Sequence, residues 1–410
     1  MVKKTTALDL AAPMSLGCIG CSVLEDCGGH YSPKGGWGCS DRLHSPDDPN
    51  DVLSIHERNY PQRVAEIGGF GFGDLDRIGN PTHLPPYVSG IDHGSYLTHH
   101  DAKHLKWAAV HLRKVISFPK GRWRPRFRSP AELRRHFGIR GNTKLMLTCI
   151  DKDRSIEPLW AQIYEPGLSR YLASLGFDAA VAPNFSVFDN DPPAQHQYNR
   201  KRSAIVAEEF SRFGLPTVLY CHGNRPTDWE FWRDFLRSHP ELSFIAKEFQ
   251  TGLASPARGR ACIRALASLQ DAVERPLHIV VFGATRHRRY IADRFRNWTL
   301  VSFSPFVLST KRRELVAHKN GFREQWAKDE RPGLLFSRSH QLLHADCTSL
   351  HATRSAQIAF ASARRRTGAS GDADVSPTSS PNTTTTTYQD RPKRRYRRSK
   401  KQPGEPRVGK

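Results

Sequence analysis

Short apolar runs bounded by Gly, Pro, Asn or Asp recur through the middle of the chain. They stand at RVAEIGGFGF (63–72), PYVSGI (86–91), KLMLTCI (144–150), DAAVAPNF (178–185), PTVLYC (216–221), LSFIAKEF (242–249), LHIVVFG (277–283) and WTLVSF (298–303). Their β-branched and aromatic character predicts buried parallel strands. Longer helix-like stretches fall between them, at 158–175, 197–213, 227–239 and 255–274. Alternating β and α at this spacing predicts an α/β fold with a parallel sheet. Eight candidate strands in about 250 residues match a TIM-like (β/α)8 barrel, with a doubly wound open sheet as the alternative. On this reading the barrel spans 61–330, and 95–140 is a basic insertion within it.

The pattern fails at both ends. Residues 1–60 are rich in Cys, Gly, Pro, Asp and Ser and lack apolar periodicity, so they need a metal or a neighbouring domain to order them. Residues 331–366 are read as a helical extension. From 367 to 410 a polar low-complexity run leads into RPKRRYRRSKKQPGEPRVGK, which predicts a disordered basic tail. No run of about 18 apolar residues exists, so no membrane span is expected. The first residues lack the apolar core of a secretion signal, and a cytoplasmic location is the expectation.

Charge narrows the partner class. The chain has 62 Lys+Arg against 40 Asp+Glu, a formal net charge of +22. Such an excess favours polyanions and points to DNA or RNA. The most distinctive basic element is GRWRPRFRS, where Arg122, Arg124, Arg126 and Arg128 alternate with Trp123, Pro125 and Phe127. As an extended strand it would place all four guanidinium groups on one side, a candidate nucleic-acid contact. An edge strand with its aromatics turned inward is the competing arrangement.

In a barrel, chemistry gathers where the strands end. The residues there include Asp151, Asn184, His222 and Glu248, the candidate catalytic set for acid–base work. Alternation sends Lys247 and Glu248 opposite ways, and Glu248 is taken as inward. Gly283 and Arg286, after the seventh predicted strand, are candidate phosphate contacts.

Four thiols, Cys18, Cys21, Cys27 and Cys39, crowd the amino-terminal segment. In a reducing compartment they are candidate metal ligands, for a [4Fe–4S] cluster or alternatively zinc. The CxxC followed by a third Cys resembles the cluster loops of the endonuclease III family. With CGG added, it is also similar to the SPASM segments of radical-enzyme maturases.

Two further resemblances concern the middle of the chain. APNFSVFDNDPP (182–193), NRKRS (199–203) and FGLPTVLY (213–220) resemble an uncharacterised bacterial and phage domain family of unknown function. That family has a P-[DN]-F-S strand end, then an N-x-x-R-S helix, and it implies no activity. FDAAVAPNFS, FIAKEFQTG and RPLHIVVFGATR more distantly resemble tRNA-guanine transglycosylase, a barrel that exchanges a base. The chain departs from it at VSFSPF, where Ser302 and Ser304 stand at the final strand end in place of an aspartate nucleophile. Its cysteines also precede the barrel rather than follow it. The resemblance implies a nucleic-acid-associated metalloprotein that modifies a base or nucleotide. The alternative is a non-enzymatic nucleic-acid-binding protein of a phage or mobile element.

Overall fold

The computed structural model describes residues 64–92, 101, 104–165, 167–187, 193–223, 226–250, 252–319 and 321–367. Cys18, Cys21, Cys27, Cys39 and the tail from 368 onward lie outside them. The strands are β1 (Tyr87–Ile91), β2 (Trp107–His111), β3 (Ile116–Ser117), β4 (Arg124–Pro125), β5 (Lys144–Thr148), β6 (Ala179–Val181), β7 (Thr217–Tyr220), β8 (Phe244–Glu248), β9 (His278–Phe282), β10 (Asn297–Ser302), β11 (Arg313–His318) and β12 (Gly321–Trp326). The helices are α1 (Pro130–His136), α2 (Asp153–Trp160), α3 (Leu168–Ser174), α4 (Pro193–Arg212), α5 (Pro226–Ser238), α6 (Pro256–Val273), α7 (Arg288–Ala292), α8 (Ser304–Thr310) and α9 (Pro332–Thr367).

Eight strands close into a parallel barrel in the order β1-β2-β5-β6-β7-β8-β9-β10, with β10 pairing back onto β1. The architecture is a TIM-like (β/α)8 barrel. Two small antiparallel pairs, β3–β4 and β11–β12, stand apart from it. No helix among the described residues is long and apolar enough to cross a membrane. By contact density the chain divides into Met1–Ala361 and Ser362–Lys410. The described part of the second unit is the last turns of α9.

Local chemistry explains the helix limits. Ser129 caps α1 by accepting the Glu132 N–H at 3.2 Å, with Pro130 in the first turn. The guanidinium of Arg275 donates to the carbonyls of Leu236, His239 and Leu242, which satisfies groups left open where α5 ends.

Two strand expectations are corrected. The apolar run 63–72 is no strand: 64–66 form a helical turn, and Gly68 and Gly69 then adopt φ of 69° and 85°. The second barrel strand is instead Trp107–His111, inside the stretch read as an insertion. Its alanines hide it from a propensity reading, yet Ala108 and Ala109 are fully buried at the barrel wall. The helix expected over 158–175 is interrupted at Gly167, whose φ of 91° separates α2 from α3.

The α4 helix is buried almost all round, from Tyr198 through Phe210. Its sequence includes Asn199-Arg200-Lys201-Arg202-Ser203, and burying such charges requires counter-charges on every side. Successive residues are about 100° apart on a helix, so three adjacent cations face three neighbours. Arg200 donates to Asp228 of α5 at 2.6 Å, and Arg202 grips Glu157 of α2 at 2.6 and 3.0 Å. Lys201 reaches Asp74 and the Gly71 carbonyl. Residues 64–80 are thus a strap across α4. Glu66 accepts from Trp160 and Tyr198, Asp76 N–H donates to Glu208, and Gly79 N–H donates to Ser211. At the strap's end, Asn80 accepts from the N–H groups of Ser243 and Phe244, closing the amino-terminal side of the barrel.

Replacing Glu157 with Gln leaves the Arg202 charge buried without its partner. Loss of about 3–5 kcal/mol in urea unfolding is expected, with much of it restored in the Arg202→Met/Glu157→Leu double variant. A single-variant loss below about 1 kcal/mol would contradict the buried pair.

Buried imidazoles generate a second expectation. His278 stacks on Phe244 at 4.5 Å, and its Nε2–H donates to Thr299 Oγ1, which itself donates to Pro85 O. His340 packs beside Tyr87, with Nδ1 buried and unbonded. Burial first, with nearby histidines adding a smaller push in the same direction, takes both down to about 3. Both are therefore neutral in the fold. Their stabilising contribution is complete above the unfolded value of about 6.5 and is lost as pH falls from there toward the folded value. The unfolding midpoint should hold above about pH 6.5 and decline below it, less steeply in His340→Gln. An unchanged acid slope in that variant would remove His340 from the account.

Candidate functional site

Alternation and register define what faces the barrel lumen. Ala108, Val110, Leu145 and Leu147 pack with Leu133, Ile156 and Leu172 of the surrounding helices. Ala109, Met146, Val181 and Val218 belong to the other cluster and face inward. The same parity carried to the carboxyl ends puts His111 beside Thr148, Tyr220 beside Ala246, and Glu248 beside Phe282, all on the luminal face.

At this end one arginine gathers three strands. Arg113, two residues beyond β2, donates to both oxygens of Asp151 beyond β5, at 2.7 and 3.0 Å. Its other amine donates to Asp92 beyond β1 at 2.8 Å, and Lys114 stands 3.7 Å from Asp92. The Asp151 N–H donates to Asn184 Oδ1 at 2.9 Å, which joins the β6 end to the group. Burial works to raise the Asp92 carboxyl, but the Arg113 hydrogen bond and the charges of Arg113, Lys114 and His111 outweigh it, and the net shift is downward. His111 lies against this cluster, stacked on Phe303 at 4.0 Å and 17°. Burial first, then Arg113, pushes it down to about 4, against the opposing pull of Asp151 and Asp92.

Beside the clamp opens a pocket of about 760 Å³, lined by Arg113, Lys114, Arg126, Phe127, Glu132, Arg135 and His136. Four permanent cations face one carboxylate, and Glu132 already accepts the Arg128 N–H at 2.6 Å. Arg113 and Lys114 are partly answered by Asp92 and Asp151. Arg126 and Arg135 make no ion pair among the described residues. The wall therefore holds positive charge that an anion would neutralise.

Of the expected catalytic residues, Asp151 and Asn184 meet directly. His222 stands two residues beyond β7 and Glu248 ends β8, in the neighbouring part of the ring. His222 is buried against Tyr220, with Nε2 unbonded. Burial, then Lys247 and Arg200, holds it well below its usual value, and its carbonyl accepts from Trp232. The space over Gly283 is filled: a side-chain carbon there would sit 2.4 Å from Gln250 Cγ. Arg286 donates to the Ala254 carbonyl.

The arginine stripe is not one long strand, since only Arg124–Pro125 pair with β3. Arg122, Arg124, Arg126 and Arg128 are nevertheless all exposed. Trp123 stacks on Tyr171, and Phe127 is buried against Phe137, so both aromatics are engaged by the protein. Of the stripe, Arg126 lines the pocket.

Sequence reasoning missed His111, Arg113, Lys114, Arg135 and His136. The available signal was H-L-R-K directly after WAAV, at the end of a strand hidden in the supposed insertion. Among the described residues, no group of three or more His, Cys, Asp or Glu is placed to hold a metal ion.

No family model matches the sequence, and no curated protein matches it. The fold is similar to solved barrels. Tryptophan synthase subunit alpha from Legionella pneumophila str. Paris is 10% identical with a TM-score of 0.36, covering 71% of this chain and 97% of its own. Tryptophan synthase from M. tuberculosis is 12% identical with a TM-score of 0.32, over 65% of this chain and 92% of that one. Triosephosphate isomerase from Bartonella henselae is 13% identical with a TM-score of 0.28, over 53% and 92%. Likenesses this distant bring no activity to the chain.

Proposed function

We propose that the chain is a nucleic-acid-associated barrel whose mouth pocket takes a backbone or terminal phosphate. The observation that carries this reading is the pocket wall, where Arg126 and Arg135 stand without ion pairs beside the clamped Arg113. Arg122, Arg124 and Arg128 extend exposed positive charge beside it. The formal charge of +22 supports a polyanion over a small neutral substrate.

Base or nucleotide modification is the second reading. Asp151 and Asn184 at neighbouring strand ends support it, because Asp151 is bonded to Arg113, a residue of the pocket wall. Cys18, Cys21, Cys27 and Cys39 supply four thiolates suited to a [4Fe–4S] cluster or to zinc, as an appended module. Anaerobically purified protein is expected to contain iron and sulfide and to absorb broadly in the visible. One zinc per chain with no visible band would replace the cluster by zinc.

Fluorescence anisotropy with a labelled single-stranded oligonucleotide tests the pocket. Binding should weaken with salt, with a slope of about −0.7 per phosphate neutralised. Arg126→Ala/Arg135→Ala should flatten that slope by about 1 or more while the protein stays folded. Equal affinity and slope in the double variant would sink the pocket reading.

A further inference from the structure

We propose that Glu132 makes the pocket selective for a strand presenting cytosine, its carboxylate accepting the exocyclic amine of that base. This rests on the phosphate reading above and names the base that lies beside the phosphate. Glu132 shares the pocket wall with Arg113, Lys114, Arg126 and Arg135, yet makes no ion pair among the described residues. A carboxylate there opposes a phosphate, so a site for phosphate alone gains nothing from its charge. The local fold does not call for that charge either. Glu132 Oε2 accepts the Arg128 N–H at 2.6 Å, and Ser129 Oγ accepts the Glu132 N–H at 3.2 Å. A glutamine amide would complete that reciprocal pair equally well. A ligand with an anionic end and a donor-bearing end uses both signs of the wall.

Counting donors and acceptors selects the base. Arg128 holds Oε2, which leaves Oε1 as the open acceptor of the carboxylate. Arg135 stands one turn further along α1, and its guanidinium brings a fork of donors to the same wall. Cytosine carries one exocyclic amine beside two acceptors, its ring nitrogen and its carbonyl oxygen. It therefore matches a single acceptor flanked by several donors. Guanine presents two adjacent donors, which call for both carboxylate oxygens, and thymine has no amine. His136, exposed and one turn beyond Glu132, lies 5.2 Å from the Phe127 ring and offers the base a flat face. Arg113, Lys114 and Arg126 remain for the phosphate. The volume of about 760 Å³ is in the range of sites that enclose small molecules. A single strand is the form whose bases are free to enter.

Fluorescence anisotropy of the full chain compares three short labelled single strands: all thymine, thymine alternating with cytosine, and thymine alternating with guanine. Wild-type protein should bind the cytosine strand at least about fivefold more tightly than either of the others. Glu132→Gln keeps the bond to Arg128 and turns an amine toward the base, so the preference should vanish or pass to thymine. Its affinity for the all-thymine strand should rise, because a charge opposing phosphate is gone. Equal binding of the three strands by wild type, tightest binding of the guanine strand, or a cytosine preference unchanged in Glu132→Gln would each overturn the proposal. Affinity unchanged by Arg126→Ala/Arg135→Ala would overturn the pocket itself. Affinity that falls in that variant, with no base preference in wild type, overturns the cytosine assignment and leaves the pocket standing. Binding of no strand overturns both. Free cytidine monophosphate that displaces the strand, with the same dependence on Glu132, supports the proposal and makes a mononucleotide the ligand. If Glu132→Gln misfolds, a strand with its cytosine amines dimethylated decides with wild-type protein. Binding no tighter than the all-thymine strand supports the proposal, and undiminished binding refutes it.

Discussion

Three adjacent cations buried in one helix are the constraint around which this barrel is built. Arg200, Lys201 and Arg202 are each less than a twentieth exposed, and each finds its acid on a different element. Removing charges from water is tolerable only when partners are fixed in advance, so α2, α5 and the 64–80 strap must all be in place around α4. Neither Arg200 nor Arg202 is held by charge alone. Arg200 lies 4.0 Å from the Phe231 ring, and Arg202 lies 4.0 Å from that of Phe185. The helix therefore acts as an ionic hub that joins α2, α5 and the strap.

The same hub reaches the mouth of the barrel. Asn199 donates to the Ser186 carbonyl, Ser203 donates to the Pro183 carbonyl, and Arg202 covers Phe185. The P-N-F-S strand end and the N-x-x-R-S helix, conspicuous as sequence motifs, thus bind each other. Their residue types follow from that mutual contact: two donors for strand-end carbonyls and one guanidinium for an aromatic face. Asn184, held within this strand end, in turn accepts the Asp151 N–H. Packing on the outside of the barrel therefore sets the position of the carboxylate that clamps Arg113.

How much of this was legible depended on where the signal lay. Seven barrel strands announced themselves by β-branched runs, and their parity already sent Glu248 inward. Trp107–His111 did not, because two alanines at the crowded wall carry no strand propensity. With that strand hidden, the H-L-R-K segment could not be seen as a strand end, and His111, Arg113 and Lys114 went unnoticed. The run 63–72 was mistaken for a strand because its apolar residues pack on helices rather than a sheet, with Phe72 against Phe231 and Phe235 of α5, while Gly68 and Gly69 turn the chain with positive φ. The arginine stripe showed its exposed charge, and the competing arrangement already turned Phe127 inward, but that Arg126 lines a pocket left no mark in the sequence.

The central claim is that the barrel mouth, rather than the basic tail, is where nucleic acid is held. Photo-crosslinking of a thiouridine-containing single strand to the full chain, followed by mass spectrometry of the peptides, addresses it directly. The account predicts crosslinked peptides within 111–140, which carry the pocket wall and the arginine stripe. Crosslinks confined to 391–410 would contradict it, and would make the barrel a scaffold to which a basic tail is attached.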